Sequence, residues 1–180
     1  MLRIVVPAND LWDEVNQRFI STKEQTLQLE HSLVSLSKWE SRWNKAFLTK
    51  KEKTYEETLD YIKCMTITQN VKDNTYLCLT EENFKQIYEY INSPMTATVF
   101  NKMNNKKTST ETVTAELIYY WMIALNIPFE CQKWHLNKLL TLIEVCNIKN
   151  SPPKKMSQRE IMSRNAALNA ARRKQLNTRG

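Results

Sequence analysis

The chain has 180 residues, 42% of them apolar and 9% aromatic, with 26 Lys+Arg against 19 Asp+Glu and a formal charge of +7. That length holds one domain plus an extension, and that composition excludes a disordered chain. The one glycine, Gly180, excludes every Gly-rich phosphate loop and leaves turns and helix ends to Asn, Asp, Ser and Pro.

The excess charge is confined to one end. Residues 151–180 carry Lys154, Lys155, Arg159, Arg164, Arg172, Arg173, Lys174 and Arg179 against the lone acid Glu160, so residues 1–150 are formally neutral. A neutral body with a cationic appendage folds in one place and engages a partner with another. The longest apolar run, LIYYWMIAL at 117–125, is less than half the ~20 residues a membrane span needs, so no membrane association is expected. The opening MLRIVVPAND turns polar too soon for a secretory signal. Cys64, Cys78, Cys131 and Cys146 are widely spaced without a CxxC pair. They read as reduced thiols serving as small buried hydrophobes.

Residues 1–30 read as β. Positions 3–6 are a short β-branched run stopped by Pro7, and Leu11–Trp12 and Phe19–Ile20 flank a polar stretch at 13–18 that suits a hairpin turn. Positions 26–30 alternate, with Leu27 and Leu29 on one face. From His31 the period becomes helical, with Leu36, Trp39 and Trp43 sharing a face. Thr54 and Glu57 have the spacing of a capping box, followed by Leu59, Ile62 and Met65. Thr80 is the expected N-cap of a helix whose apolar face is Phe84, Ile87, Tyr88 and Ile91, ended by Ser93–Pro94.

Positions 101–107 (NKMNNKK) read as a polar loop. Thr108 and Glu111 form a second capping box, opening a helix through Leu125 that is apolar all round in its second half and so expected at the centre of the core. Pro128 breaks it. A last body helix is expected over about 131–147, with Leu136, Leu140 and Ile143 on one stripe and Leu139, Leu142 and Cys146 widening it. Ser151-Pro152-Pro153 is a stiff linker. Beyond it, Ser157 and Glu160 form a third capping box, with Met156 and Ile161 in the places of a hydrophobic staple. A helix is therefore predicted at roughly 158–176 with a thin apolar stripe of Ile161, Leu168 and Ala171. An isolated helix of that kind is marginal in water and firms up against a partner. The expected architecture is mainly α: a helical domain at 1–150 with a small N-terminal β-hairpin or sheet element, and a separate basic C-terminal helix within 151–180.

Candidate chemistry is sparse. Cys131 and His135 stand at i, i+4 on a predicted helix, a spacing that two metal ligands can use. No second ligand pair accompanies them and His31 is far away in sequence, so the reading taken is a buried thiol beside a half-exposed histidine, with no metal and no cofactor. The paired acids Glu56–Glu57 and Glu81–Glu82 sit in first helical turns, where carboxylates stabilise the helix dipole without any catalytic role. No catalytic residue is nominated. The partner-binding candidates are in the tail: Arg164, Arg172, Arg173 and Lys174 to steer an acidic partner, and Ile161 and Leu168 to pack against it. The same cations could neutralise phosphates, although the tail has no aromatic residue for base stacking. Trp39 and Trp43 could form a client-binding face, but core packing is the reading adopted for them.

Three stretches resemble phage tail assembly chaperones, small and mainly helical proteins of tailed bacteriophages and prophages. They are TLQLEHSLVSLSKWESRW, IYYWMIALNIPFECQKWHLNKLL and SPPKKMSQREIMSRNAALNAARRKQL, preceded by LWDEVNQRFI, which is similar to the family's strand-turn-strand opening. The resemblance rests on overall texture and carries no catalytic set. It implies a non-enzymatic protein of the bacterial host cytoplasm that coats the tape measure protein and helps recruit the major tail protein as the tube polymerises. It also implies, for many members, a longer product made by translational frameshift. Self-association is a further expectation. The strongly cationic terminus departs from the family pattern and keeps open the alternative of a small nucleic-acid-binding protein of phage or bacterial origin. An enzyme built on the paired carboxylates is a distant third.

Overall fold

The computed structural model describes residues 1–14, 16–49, 51–100, 112–151 and 158–177, with the side chains of Asp13 and Glu160 outside the description. Leu2–Val6 (β1) pairs antiparallel with Gln25–Leu29 (β4), and Asn9–Asp13 (β2) with Arg18–Thr22 (β3). The two ladders share one register: Val6 faces Gln25 and Asn9 faces Thr22, which sets Pro7 and Ala8 opposite Glu24 and Lys23. They are one long hairpin interrupted at Pro7, which has no N–H to give a ladder. Strand alternation buries Ile4, Val6, Leu27 and Leu29 together in the core. Trp12 and Phe19, edge to face at 5.0 Å, remain exposed on the outer half. The free edge of β4 is closed by the segment after the second helix, through Ile67 N–H to Gln28 O at 2.8 Å and Glu30 N–H to Met65 O at 2.9 Å.

The first helix, α1 (Leu33–Trp43), is capped by Ser32 and Ser35 in a reciprocal box. Leu33, Leu36 and Trp39 are buried, and Trp43 stacks on Trp39 at 6.1 Å. Trp39 donates its indole N–H to Glu57 O at 2.8 Å and meets Phe47 edge-on at 5.1 Å. These two tryptophans thus serve the interior. Trp39→Ala removes a fully buried ring and is expected to cost about 3–5 kcal/mol in urea unfolding, against a much smaller loss for Trp39→Phe.

The Thr54–Glu57 box opens α2 (Tyr55–Met65), whose Leu59, Ile62 and Met65 are buried as the spacing predicts. A short helix, α3 (Asp73–Leu77), had no signal in the apolar periodicity. Thr80 caps α4 (Glu81–Asn92), closed at Ser93. On α4 the core takes Asn83, Ile87 and Tyr90, while Tyr88 is 71% exposed and Phe84 and Ile91 are half-buried. The expected face holds at Ile87 and, half-buried against the core, at Phe84 and Ile91; Tyr88 leaves it for solvent, and Asn83 and Tyr90 join the buried arc. Tyr90 goes inside because Glu30 accepts its hydroxyl at 2.6 Å, and Asn83 because Val5 O accepts its amide at 3.2 Å.

The next helix, α5 (Ala115–Ala124), begins later than expected, with Thr114 as N-cap; the Thr108–Glu111 box and the 101–107 loop lie outside the described residues. It is not central all round. Ala115, Ile118 and Met122 are buried, while Tyr120 and Ile123 are 63% and 61% exposed. The predicted helix start at Cys131 is also corrected: Phe129–Lys133 is a 3-10 turn, Trp134 is extended, and α6 runs Leu136–Asn150. Its buried stripe is Leu136, Leu139 and Ile143, with Leu140, Leu142 and Cys146 half-buried. With no internal glycine, left-handed positions fall largely to Asn44, Asn70, Asn126 and Asn177, whose short amide side chains tolerate that region.

Among the described residues helix makes up 56% and strand 14%, so the class is mainly α with a small antiparallel β element at the N-terminus. The chain divides into two compact units, Met1–Asn147 and Ile148–Gly180. The second contains α7 (Gln158–Leu176); the Ser157–Glu160 box, Met156 and Pro152–Pro153 lie outside the described residues or side chains. Among the described residues no helix is long and apolar enough to cross a membrane.

Candidate interaction surfaces

All six tail residues singled out from sequence lie exposed on α7. Helical spacing sets Ile161, Arg164, Leu168 and Arg172 along one face at i, i+3, i+7 and i+11. Arg173 and Lys174 leave on other sides of the helix, so the six are brought onto one element but not onto one face. Ile161 is 44% and Leu168 46% exposed, and Met162 and Leu176 more so. Methionine and leucine side chains left in water beside arginines suit a partner that offers both carboxylates and apolar surface.

A second surface was not foreseen. Between α2, α4 and a wall formed by Phe47 and residues 51–53 lies an open groove of about 710 Å³. Phe47, Tyr61, Ile62, Phe84, Ile87 and Ile91 supply its apolar lining, with Tyr88 at the rim and Lys51, Glu52 and Lys53 along one side. Phe47 is fixed by stacking on Tyr61, with centroids 3.9 Å apart. Beside it, Glu57 accepts from Lys45 Nζ with one oxygen and from Thr54 N–H with the other, and the two hold its carboxyl below the ordinary range. Lys53 Nζ lies 4.2 Å from the centre of the Phe47 ring. Burial lowers its pKa, partly offset by Glu57. The signal for the groove was present in the sequence as the Phe84–Tyr88–Ile91 stripe, but that pattern alone reads as core.

The chemistry-bearing residues do not assemble. Cys131 is in the 3-10 turn and His135 beyond an extended Trp134, so they share no helical face. Both are buried, His135 included. His135 Nε2–H donates to Tyr90 O at 3.0 Å and its Nδ1 accepts from Asn137 N–H at 3.3 Å. His31 meets His135 edge to face at 5.1 Å and bonds Tyr61 through Nδ1. Cys64, Cys78 and Cys131 are free and buried, and Cys146 is half-buried. Among the described residues no group of three or more His, Cys, Asp or Glu is placed to hold a metal.

No family model, curated protein or solved structure matches this chain. The functional reading therefore rests on the two surfaces and on the resemblance in the sequence.

Proposed function

We propose that this chain is a non-enzymatic interaction protein, a phage tail assembly chaperone acting in the bacterial host cytoplasm. Its client is the tape measure protein, and it helps bring the major tail protein to the growing tube. The observation that carries the reading is α7, a helix of 19 residues that leaves Ile161, Met162, Leu168 and Leu176 exposed among arginines. Exposed apolar side chains on a conditionally stable helix are what transient, repeated contacts with a helical client require.

Co-expression with the tape measure protein tests it. The client is expected to move from the insoluble to the soluble fraction when this chain is present. A client equally insoluble with and without the chain contradicts the reading.

One observation favours a second reading. Arg159, Arg164, Arg172, Arg173 and Lys174 leave α7 on several sides, as a non-specific phosphate-binding element would have it. Nucleic-acid binding requires retention on DNA that falls steeply with salt and vanishes when residues 151–180 are removed.

A further inference from the structure

The α4 helix buries one arc fully and carries beside it a more apolar stripe that the fold covers only in part. Asn83, Ile87 and Tyr90 face the interior, and two of the three need polar partners, Val5 O and Glu30, to do so. The more hydrophobic stripe lines the groove: Phe84 and Ile91 are half-buried against the core and Tyr88 is exposed between them. From Phe84 to Asn92 the helix rises ~12 Å, so the wall accommodates about two turns of a second helix. The opposite wall carries a cation. Lys53 places its ammonium over the Phe47 ring and makes no salt bridge among the described residues. Glu57, the carboxylate that acts on it, already commits one oxygen to Lys45 and the other to Thr54 N–H. An apolar trough with an ammonium on its wall, which Glu57 influences but no described carboxylate meets at salt-bridge distance, defines its occupant chemically.

We propose that this groove binds an amphipathic helix from a partner protein, with apolar side chains at i, i+4 and i+7 against Phe84, Tyr88 and Ile91 and a Glu or Asp on its flank paired with Lys53. This deepens the reading of the chain as an interaction protein and adds a sign to its client: acidic-flanked helical segments are preferred. Tyr88 and Ile91 supply apolar area, and Lys53 supplies selection, because a lysine on the incoming helix would meet a half-desolvated ammonium.

The test uses the full chain and two designed helical peptides with identical leucine anchors, one flanked by Glu and the other by Lys, measured by calorimetry. The Glu peptide is expected to bind about tenfold more tightly. Lys53→Glu is expected to reverse that order, and Tyr88→Glu, at a side chain too exposed to threaten the fold, to abolish binding of both. Equal affinity for the two peptides, indifference to Lys53→Glu, or no binding at all overturns the proposal. So does a drop in solution mass with Tyr88→Glu, which would identify the occupant as a second copy of this chain. Peptide binding without any effect on tape measure solubility keeps the groove and removes that client. Client solubilisation unchanged by Lys53→Glu and Tyr88→Glu does the reverse.

Discussion

Glu40→Ala is expected to lower the unfolding free energy by about 4 kcal/mol, the loss of two charge-assisted hydrogen bonds to buried donors. Glu40 is on α1, nearly inaccessible to water, and its two oxygens join distant parts of the chain. One accepts from Phe47 N–H at 2.8 Å, fixing the turn that follows α1. The other accepts from Ala115 N–H at 2.7 Å, at the start of α5. The carboxylate therefore meets the positive end of that helix while Thr114 caps Leu117 N–H beside it. Removing it strands two N–H groups in the core. Glu40→Gln separates charge from shape: its carbonyl can serve one N–H, but its NH2 confronts the other donor, so about half the loss is expected. Urea unfolding of both variants checks this, with exposed Glu89→Gln as a control expected to stay within about 0.5 kcal/mol of the parent. A Glu40→Ala protein as stable as that control would show that the carboxylate joins nothing that matters.

Stability is also expected to fall as the pH drops below 6.5, before the carboxylates protonate. Burial, and then the neighbouring His135, lower the pKa of His31 to about 3. Burial also lowers that of His135, against the opposing effect of its bond to Tyr90 O. The rings face Tyr61 and Tyr90, with Glu30 bonded to the Tyr90 hydroxyl and to the α-ammonium of Met1. The bonding fixes the neutral form of His135, since a proton on Nδ1 would oppose the N–H of Asn137. Both folded pKa values lie below the unfolded value, so the unfolded chain binds protons first. Stability is whole above pH 6.5 and is lost as pH falls toward about 3 for His31. Each imidazole that stays neutral contributes a slope of about 1.4 kcal/mol per pH unit. Chemical unfolding between pH 7 and 5 reads that slope. His31→Phe is expected to lower it by one imidazole's share, and an unchanged slope would mean that His31 titrates in the folded protein as it does in water.

The local signals in the sequence were legible where one turn of chain contains both partners. Thr54 with Glu57, Thr80 as a cap, the alternation at Leu27 and Leu29, and the helix at 158–176 all depend on near neighbours. What could not be read depends on contacts across the chain. Glu40 reads as an ordinary surface acid until Phe47 and Ala115 are brought to it. The Ser32–Ser35 box was missed because serine stands where a capping box usually has Glu or Gln. On α4 the periodicity located apolar residues correctly but not the buried arc, because Glu30 and Val5 O make Asn83 and Tyr90 acceptable inside. The same pattern hid the groove: Phe84 and Ile91 are covered only in part and Tyr88 hardly at all, which the spacing of the stripe cannot show. On α5 the apolar run 117–125 gave no direction at all, and three of its nine residues, Tyr120, Ile123 and Ala124, face outward.

The most direct measurement mixes the purified full chain with a soluble helical segment of the tape measure protein and determines mass by light scattering across a concentration series. A species containing both chains, lost when Tyr88→Glu is combined with charge reversal at Arg164 and Arg172, is the expected result. Two components that keep their separate masses at every concentration would contradict it.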